Sequence, residues 1–488
     1  MPGRFPDPFA FSLPSLLPTL GSLPMPGRRI VGTVFSRRDF GKWSALAAAA
    51  ATLPRWTPPA LAQGVSSEWL TIESVERVTL KVPFREIPER AMAKEIPHWA
   101  YPEVLQVKLK SGQVGFGETM LFYTHSGGVT SDEDVAEVVG KNAAELMWRD
   151  ELGAGLQIAL FDGVAKTLGV PVHALLGTKR YAETPLSWWN IDTSPEDMAA
   201  ECKLAFEQGY LAYKTKGRPW FDLWAQMEQA TKVVPPEFKI DMDFNDTLLD
   251  ADRGIEILKQ FEHYPQVDIW ETPIPQADLA GNRRIVEAMK AKVAMHYGRP
   301  EPFDVFREQA CDGFVVGGGA TRLMETNAVC AEAGLPFWLQ LTGTGITAAW
   351  SLHFGGVLSQ ATWPAVNCHQ LYTHTLLTKP IVVKDGKATV PDAPGLGFEL
   401  DRDAIEKFRT DKPASRPDPP RMTETTWPDG RRMLIGSHGV LNFLLTQANK
   451  GNIPYFERGV TTRLVPDDGT AKWRELYDKS GPEKPLFL

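Results

Sequence analysis

The sequence predicts an α/β protein built around a modified (β/α)8 barrel, and two observations support that prediction. Apolar, strand-like segments recur along the middle of the chain, the first five roughly every 27 residues, with amphipathic helical stretches between them. Charged side chains also end three successive segments, and a parallel barrel carries its chemistry at that end of its strands. The competing architecture, an open doubly wound sheet, requires a glycine-rich turn after its first strand, which this chain lacks.

The predicted barrel has eight strands, and the later units are shorter, as in a modified barrel. The strands are expected near Leu186–Asn190, Ala212–Lys216, Phe238–Phe244, Val267–Glu271, Val293–Tyr297, Phe314–Val316, Phe337–Leu341 and Ala361–Cys368. Helical patterns fill the gaps, for example from Pro195 to Gln208 and from Arg253 to Phe261.

The regions flanking the barrel differ in character. Residues 67–128 alternate strand-like segments with turns, and a helical region follows from Ser131 to Leu176. After the barrel, Asp385-Gly386 predicts a hairpin turn, and residues 412–420 are a proline-rich linker. Residues 421–488 fit no repeat, and the sequence leaves open whether they cover the barrel or a neighbouring subunit.

The first 62 residues have the pattern of a twin-arginine signal peptide. Arg37-Arg38 precedes an apolar run from Trp43 to Leu53, and Ala60-Leu61-Ala62 forms a small-x-small cleavage site. The run is shorter than the about 20 residues of a transmembrane helix, so no membrane span is predicted. We expect export by the twin-arginine machinery to the periplasm. The alternative is a chance Arg-Arg before an alanine-rich helix.

Composition excludes some classes of function. The net charge of −8 and pI near 5.7 argue against nucleic acid as the main partner. The four cysteines form no C-x-x-C pair, which argues against a zinc knuckle and favours plain buried residues.

Lys214 and Lys216 stand at the end of the second predicted barrel strand. Alternate residues of a strand point to the same face, so the two ammonium groups should lie together. Each then disfavours the protonation of the other, and burial does the same. This is how a lysine becomes a base near neutral pH.

Acidic residues end the next two strands. Asp241 and Asp243, followed by Asn245, belong to strand three, and Glu271 ends strand four. Hard oxygen ligands of this kind suit Mg²⁺. A divalent ion beside a lysine base is suited to removing a proton α to a carboxylate. The alternative for each acid alone is a solvated loop or a salt bridge.

Several motifs together resemble the mandelate racemase/muconate lactonizing group of the enolase superfamily, over roughly residues 67–409. They are Gly115–Glu118, Ala159–Gly163, Pro171–Gly177, Lys214–Lys216, Asp243–Asn245, Trp270–Pro273, Gly317–Thr321 and Pro391–Gly397.

The resemblance implies an N-terminal α+β capping domain whose loops close over a small carboxylate substrate. It implies Lys216 as the base, Lys214 as its electrostatic partner, Asp243 and Glu271 as ligands of Mg²⁺, and assembly into a homo-oligomer. The domains are then a signal peptide (1–62), capping domain (63–180), barrel (181–377), closing segment of the cap (378–409) and C-terminal extension (410–488).

Three positions depart from the family pattern. The third acidic ligand, expected after strand five, is replaced by His296, an imidazole that shifts metal preference towards ions such as Mn²⁺; the alternative is a hydrogen-bonded histidine that touches no metal. Strand six carries Val315-Val316 where an Asp or Lys is usual. Strand seven carries Gln340 where the racemase branch has a histidine base, and an amide cannot take a proton.

Other polar residues are candidates for the remaining roles. His369, near the end of strand eight, is a candidate acid, as are His98 and Tyr101 in the capping loop. Asn190 and Asn245, which end strands, are candidates for binding substrate, as are His98 and Tyr101.

A single base favours syn elimination of water from a sugar acid or hydroxy acid, because the base can return the proton to the leaving hydroxyl. The alternatives are a racemase, epimerase or cycloisomerase of the same group, or a periplasmic ligand-binding protein that has lost catalysis.

Overall fold

The structure is a computed structural model that describes residues 66–123 and 128–488. The predicted signal peptide, residues 1–62, lies outside the described residues. No helix within the described ranges is long and apolar enough to cross a membrane.

The N-terminal cap is a three-stranded antiparallel sheet, in the order β1-β2-β3, with helices on it. Its elements are β1 (Ile72–Thr79), α1 (Glu86–Glu95), β2 (Pro102–Leu109), β3 (Val114–Met120), α2 (Asp132–Val138), α3 (Ala143–Leu146), α4 (Ala154–Leu168) and α5 (Val172–Leu176).

Close packing of β3 on α4 explains the glycines of the Gly115–Glu118 motif. A Cβ at Gly115 would lie 2.0 Å from the Ala159 carbonyl oxygen, and one at Gly117 would lie 2.3 Å from that of Gly155. Only glycine permits this approach of sheet and helix backbones. The motif therefore sets the packing of the cap.

Eight parallel strands follow, and each overlaps its predicted segment: β4 (Glu183–Trp189), β5 (Ala212–Lys216), β6 (Lys239–Asp243), β7 (Val267–Glu271), β8 (Lys292–His296), β9 (Gly313–Val316), β10 (Phe337–Leu339) and β11 (Ala365–Val366). Strands β4 to β10 are neighbours in chain order, β11 pairs with β4, and a bridge joins Gln340 to Val366, so the ring closes. The predicted fold class is confirmed.

Helices connect the barrel strands: α6 (Pro195–Glu207), α7 (Leu223–Ala230), α8 (Ala251–Leu258), α9 (Leu279–Ala288), α10 (Pro302–Glu308), α11 (Ala320–Ala333) and α12 (Gly345–Val357). Helices α6 to α9 begin where a side chain accepts a hydrogen bond from the first-turn backbone, which stabilises the helix N-terminus. These capping residues are Ser194, Asp222, Asp250 and Asp278.

The segment after the barrel contacts both barrel and cap. The predicted hairpin forms β12 (Val383–Lys384) and β13 (Lys387–Thr389), and β13 pairs with β4, which extends the barrel sheet. Helix α13 (Arg402–Phe408) then leads to a bridge between Arg409 and Leu80 of the cap.

The C-terminal extension folds as an antiparallel sheet in the order β16-β14-β15-β17. Its elements are β14 (Met422–Thr426), β15 (Arg432–Gly436), α14 (Phe443–Asn449), β16 (Thr461–Val465), α15 (Ala471–Lys479) and β17 (Leu486–Phe487). Part of its apolar core includes Trp220 and Phe221, which follow β5. The extension therefore packs on the barrel of its own chain.

Candidate active site

Strand register brings the predicted lysines and acids together. Lys216, Asp243 and Glu271 are successive partners across β5, β6 and β7. Lys216 Nζ forms an ion pair with Asp243 Oδ2. Lys214 Nζ lies 2.5 Å from Glu271 Oε2 and donates to Gln340 Oε1 at 2.5 Å. The barrel mouth thus contains two neighbouring lysine–carboxylate pairs.

The surroundings of Lys216 lower its pKa below the ordinary lysine value. Burial is the largest cause, the charge of Asp243 opposes it, and the charge of Lys214 lowers the pKa further. Only 12% of the Lys216 side chain is exposed. These effects increase the fraction of neutral amine, which is the form that takes a proton.

Asp243 is held as an ionised carboxylate. Burial alone would raise its pKa, but the charges of Lys216, Lys214 and His296 bring the pKa below its usual value. Asn245 donates its backbone N–H to Oδ1 at 2.8 Å and its Nδ2 to Oδ2 at 3.0 Å. Asn245 therefore orients the carboxylate of Asp243.

Glu271 retains unused acceptor capacity. Lys214 Nζ lies 2.5 Å from Oε2, and His296 Nε2 lies 3.1 Å from Oε1. Neither contact has hydrogen-bond geometry, although both carboxylate oxygens are buried. The lysine and the imidazole are therefore close enough to attract the carboxylate, while acceptor directions on both of its oxygens remain open.

Two side chains of the site are suitable ligands for one divalent cation. Asp243 and Glu271 supply carboxylates from adjacent strands, and His296 Nε2 lies 3.1 Å from Glu271 Oε1. Within residues 66–123 and 128–488, however, three or more His, Cys, Asp or Glu side chains are nowhere grouped to hold a metal ion. Asp243 and Glu271 would therefore hold a cation, with His296 as their nearest further donor.

Asp246 is an acidic neighbour that the sequence analysis missed. Burial and the charge of Asp243 raise its pKa to about 6, and its Oδ1 is buried without a hydrogen-bond partner among the described residues. Asn245, Asp246 and Thr272 all have positive φ values, of 45°, 70° and 42°. Such strain after β6 and β7 is typical of functional sites.

Two cavities meet at this site. The narrow cavity measures about 80 Å³, and the wide cavity about 560 Å³; they share Tyr123, Gln340 and Thr342. Lys216 and Asn245 line the narrow cavity, whereas His296 and the Gly317–Gly319 loop line the wide one. A further cavity of about 770 Å³ lies on the outer side of α9 to α11 and shares none of these residues.

Tyr123 comes from the cap and was also missed by the sequence analysis. Burial is the main cause that raises its pKa to about 12, so the phenol keeps its proton at neutral pH. Thr342 Oγ1 lies 3.4 Å from its hydroxyl. The tyrosine follows β3, far along the chain from the barrel strand ends, so strand periodicity held no signal for it.

The structure does not bring the predicted histidine acids into either cavity. His369 is buried, with Nε2 3.2 Å from the Tyr210 hydroxyl, and burial lowers its pKa to about 4. His98 is also buried, and burial together with the charges of Arg416 and Arg421 lowers its pKa to about 4. Both imidazoles are therefore neutral at pH 7.

Two predicted substrate-binding residues also lie outside the cavity linings. Asn190 is buried and accepts the Ile191 N–H at 2.9 Å, which orients its amide locally. Tyr101 is half-buried beside Phe122 and Lys81. Asn245 is the predicted substrate-binding residue that does line a cavity.

The cysteines play no part in the chemistry derived above. All four are buried and unpaired, and burial raises the pKa of Cys368, which lines the narrow cavity, to about 12.

Comparison with known proteins shows that part of this chain is similar to proteins of the enolase superfamily. Residues 197–404 match the family described as enolase C-terminal domain-like. An o-succinylbenzoate synthase of Geobacillus stearothermophilus is 27% identical over 287 residues, which cover 56% of this chain and 74% of that protein. An arabinonate dehydratase of Saccharolobus solfataricus is 22% identical over 341 residues, 62% of this chain and 89% of that protein.

A solved structure shares the fold. The muconate cycloisomerase of Pseudomonas fluorescens superposes with a TM-score of 0.56 at 22% identity, over 70% of this chain and 99% of that one. Nearly all of that enzyme therefore has a counterpart here, whereas a substantial part of this chain has none in it.

Proposed function

We propose, from the support for the enolase superfamily, that this protein is a lysine-dependent enzyme that removes the proton α to a carboxylate and eliminates water from a small hydroxy acid. The pairing of Lys216 with Asp243 beside Lys214 is the observation that carries this proposal, because Lys216, whose pKa is lowered, lines a cavity and can take a proton there. The relatives of known name include a dehydratase.

The position of Gln340 favours elimination over racemisation. Its amide accepts a hydrogen bond from Lys214 and cannot act as a second base. In a 2,3-dihydroxy acid, neutral Lys216 takes the proton on the α-carbon, the bond from the β-carbon to its hydroxyl breaks as the Cα–Cβ double bond forms, and the new ammonium or the Tyr123 phenol protonates the leaving oxygen. The products are water and an enol, which becomes a 2-keto acid.

The side chains of this site would bind the substrate and orient its reacting groups, and a divalent cation would complete the site. A divalent cation such as Mg²⁺ or Mn²⁺, held by Asp243 and Glu271, would supply positive charge against the negative charge that develops on the substrate carboxylate. Asn245 fixes the Asp243 carboxylate, and Gln340 fixes the Lys214 ammonium.

Metal titration tests the proposal. We expect one Mg²⁺ or Mn²⁺ per chain by calorimetry, lost in Asp243→Ala and Glu271→Ala but kept in Asp268→Ala, a carboxylate of β7 that pairs with Lys292 instead. Turnover of 2,3-dihydroxy acids to 2-keto acids should require the metal. A protein with neither metal binding nor turnover would contradict the enzyme proposal and favour a ligand-binding protein.

The second candidate is an isomerase of the same superfamily. It is favoured by Tyr123, which brings a proton donor from the cap to the cavity that contains Lys216. Solvent deuterium at the α-carbon of recovered substrate, without 2-keto acid, would support the isomerase.

We also propose that residues 1–62 direct export to the periplasm. The ordered twin-arginine, apolar and cleavage-site segments support this. Replacement of Arg37 and Arg38 by lysine should leave the protein in the cytoplasmic fraction. Unchanged fractionation would contradict the proposal.

A further inference from the structure

The C-terminal extension reaches the candidate active site through its folded part, residues 421–488. Asn442 and Leu445 line the narrow cavity together with Lys216 and Arg218. One wall of the cavity therefore comes from a part of the chain that lies outside the matched family region, residues 197–404.

This wall is held by apolar packing and a hydrogen bond to the cap. Phe443 and Leu444 are buried in a core that contains Trp220 and Phe221 of the barrel. The backbone N–H of Leu444 donates to Glu95 Oε1 at 3.2 Å. Asn442 and Leu445 flank these two anchored residues, so their positions are fixed as well.

Polar contacts tie the extension to the barrel and to the cap. Thr462 Oγ1 donates to the Trp220 carbonyl at 2.7 Å, and the Gly459 N–H donates to Asp222 Oδ2 at 2.6 Å. Arg421 Nη1 donates to the Glu95 carbonyl at 3.0 Å. Hydrogen bonds therefore fix the extension to the two regions that form the rest of the site.

Arg218 has an unused donor beside this wall. Its side chain is 4% exposed, its Nε lies 3.3 Å from Asp192 Oδ1, and its guanidinium lies 5.3 Å from the centroid of the Trp220 ring. Its Nη1 is buried and has no hydrogen-bond partner among the described residues. A buried cationic donor without a partner is costly, and a carboxylate is the group that a guanidinium binds best.

Asn442 offers a second polar group on the same cavity. It precedes α14, yet its side chain makes no capping hydrogen bond to that helix. Its backbone has φ = 50°, a conformation that asparagine tolerates better than most residues. The carboxamide is therefore not used to cap the helix that it begins.

We propose that Arg218 and Asn442 form a subsite for a carboxylate at the far end of the substrate, so that the C-terminal extension makes the protein select short dicarboxylic acids over monocarboxylic ones. The inference rests on the proposed function in taking Lys216 as the reacting end. The narrow cavity of about 80 Å³ holds roughly two or three groups of water size at about 30 Å³ each, which is the size of one carboxylate. The rest of a short diacid would occupy the wide cavity that meets it.

Succinate and butyrate test the subsite, because they have equal carbon number and differ in the far carboxylate. Calorimetry with the full chain, with Mg²⁺ and after chelation, should show succinate binding at least about tenfold more tightly, as expected for charge-assisted hydrogen bonds in a buried site. Arg218→Met should abolish this preference without weakening butyrate. Arg283→Met, an exposed arginine paired with Glu287 on α9, is the matched control and should change nothing.

Asn442→Gly keeps the test valid if Arg218→Met fails to fold. Glycine adopts φ = 50° without strain, so this variant removes the carboxamide and leaves the backbone as it is. We expect it to weaken succinate by a few fold, as for one hydrogen bond, with butyrate unchanged. Equal affinity of the wild-type protein for the two acids, or equal losses for both acids in the variants, would overturn the inference.

The two proposals fail in distinguishable ways. Succinate preference that depends on Arg218, without metal binding or turnover, would leave the subsite intact and remove the enzyme proposal. Metal-dependent turnover without any role of Arg218 in diacid preference would do the reverse.

Discussion

The narrow cavity has two walls that differ in whether their buried charged groups have partners. On the barrel side, Lys214 and Lys216 of β5 each lie against a carboxylate, that of Glu271 at the end of β7 and that of Asp243 at the end of β6. Beside the wall formed by the cap and the extension, Arg218 Nη1 of the barrel is buried without a hydrogen-bond partner in the described part of the chain. The same holds for Glu95 Oε2 and both ring nitrogens of His98, which do not line the cavity.

The two walls differ because their residues are brought together in different ways. The barrel wall is set by strand register, so each of its lysines already lies against a carboxylate, although Glu271 keeps open acceptor directions. The other wall is assembled from three distant chain segments, and it keeps polar atoms that a ligand or water can satisfy. Under the two proposals above, the first wall carries out the proton chemistry and the second selects the substrate.

Removal of the base should have the largest effect. Lys216→Met should lower kcat by about 10²–10⁴-fold, the usual contribution of a general base. Lys292→Met, at the opposite end of strand β8, is the control and should keep activity. Turnover of the best substrate measures both. Comparable losses in the two variants would mean that the effect is structural and that the barrel wall has no special role.

The pH dependence of kcat/KM should report the same group. Lys216 acts as a neutral amine, so activity should rise with pH through its pKa, and burial places that pKa below the ordinary 10.5. The ascending limb should therefore lie below pH 10.5. A profile that falls over this range would contradict a lysine base.

Gln340→Met should have a smaller effect. The amide accepts from Lys214 at 2.5 Å, and its loss removes one charge-assisted hydrogen bond without removing a charge. We expect kcat to fall by about tenfold, with the shape of the pH profile kept. A complete loss of activity would instead give Gln340 a direct role in the reaction.

The barrel wall could be predicted from the sequence and the second wall could not. Lys216, Asp243 and Glu271 end successive strands, and the parallel register aligns such ends. Tyr123 and Asn442 belong to the cap and the extension, whose docking on the barrel leaves no periodic trace in the sequence.

His369 shows the limit of the same reasoning within the barrel. It follows the short strand β11 in a 3-10 turn, and its ring contacts Tyr210 instead of a cavity. Proximity to a strand end predicts location, whereas the direction of the side chain depends on local backbone geometry.

Glu95 provides the smallest and most specific test of the second wall. Burial and the charge of Asp192 raise its pKa to about 8, against the opposing charges of Arg218 and Arg421. The unfolded chain loses this proton near pH 4.5 while the folded chain keeps it to about pH 8, so folding stability falls as pH rises between these values. Glu95→Gln removes this ionisation and keeps an acceptor for the Leu444 N–H.

We therefore expect Glu95→Gln to raise the free energy of unfolding by about 1–3 kcal/mol at pH 7 and to have little effect at pH 4. Urea denaturation at both pH values measures the difference. Glu89→Gln, on the exposed side of the same helix, is the control and should be neutral at both. Equal effects of the two variants would show that the Glu95 carboxyl is ionised and paired in the folded protein. The second wall would then hold its buried charge as the barrel wall does.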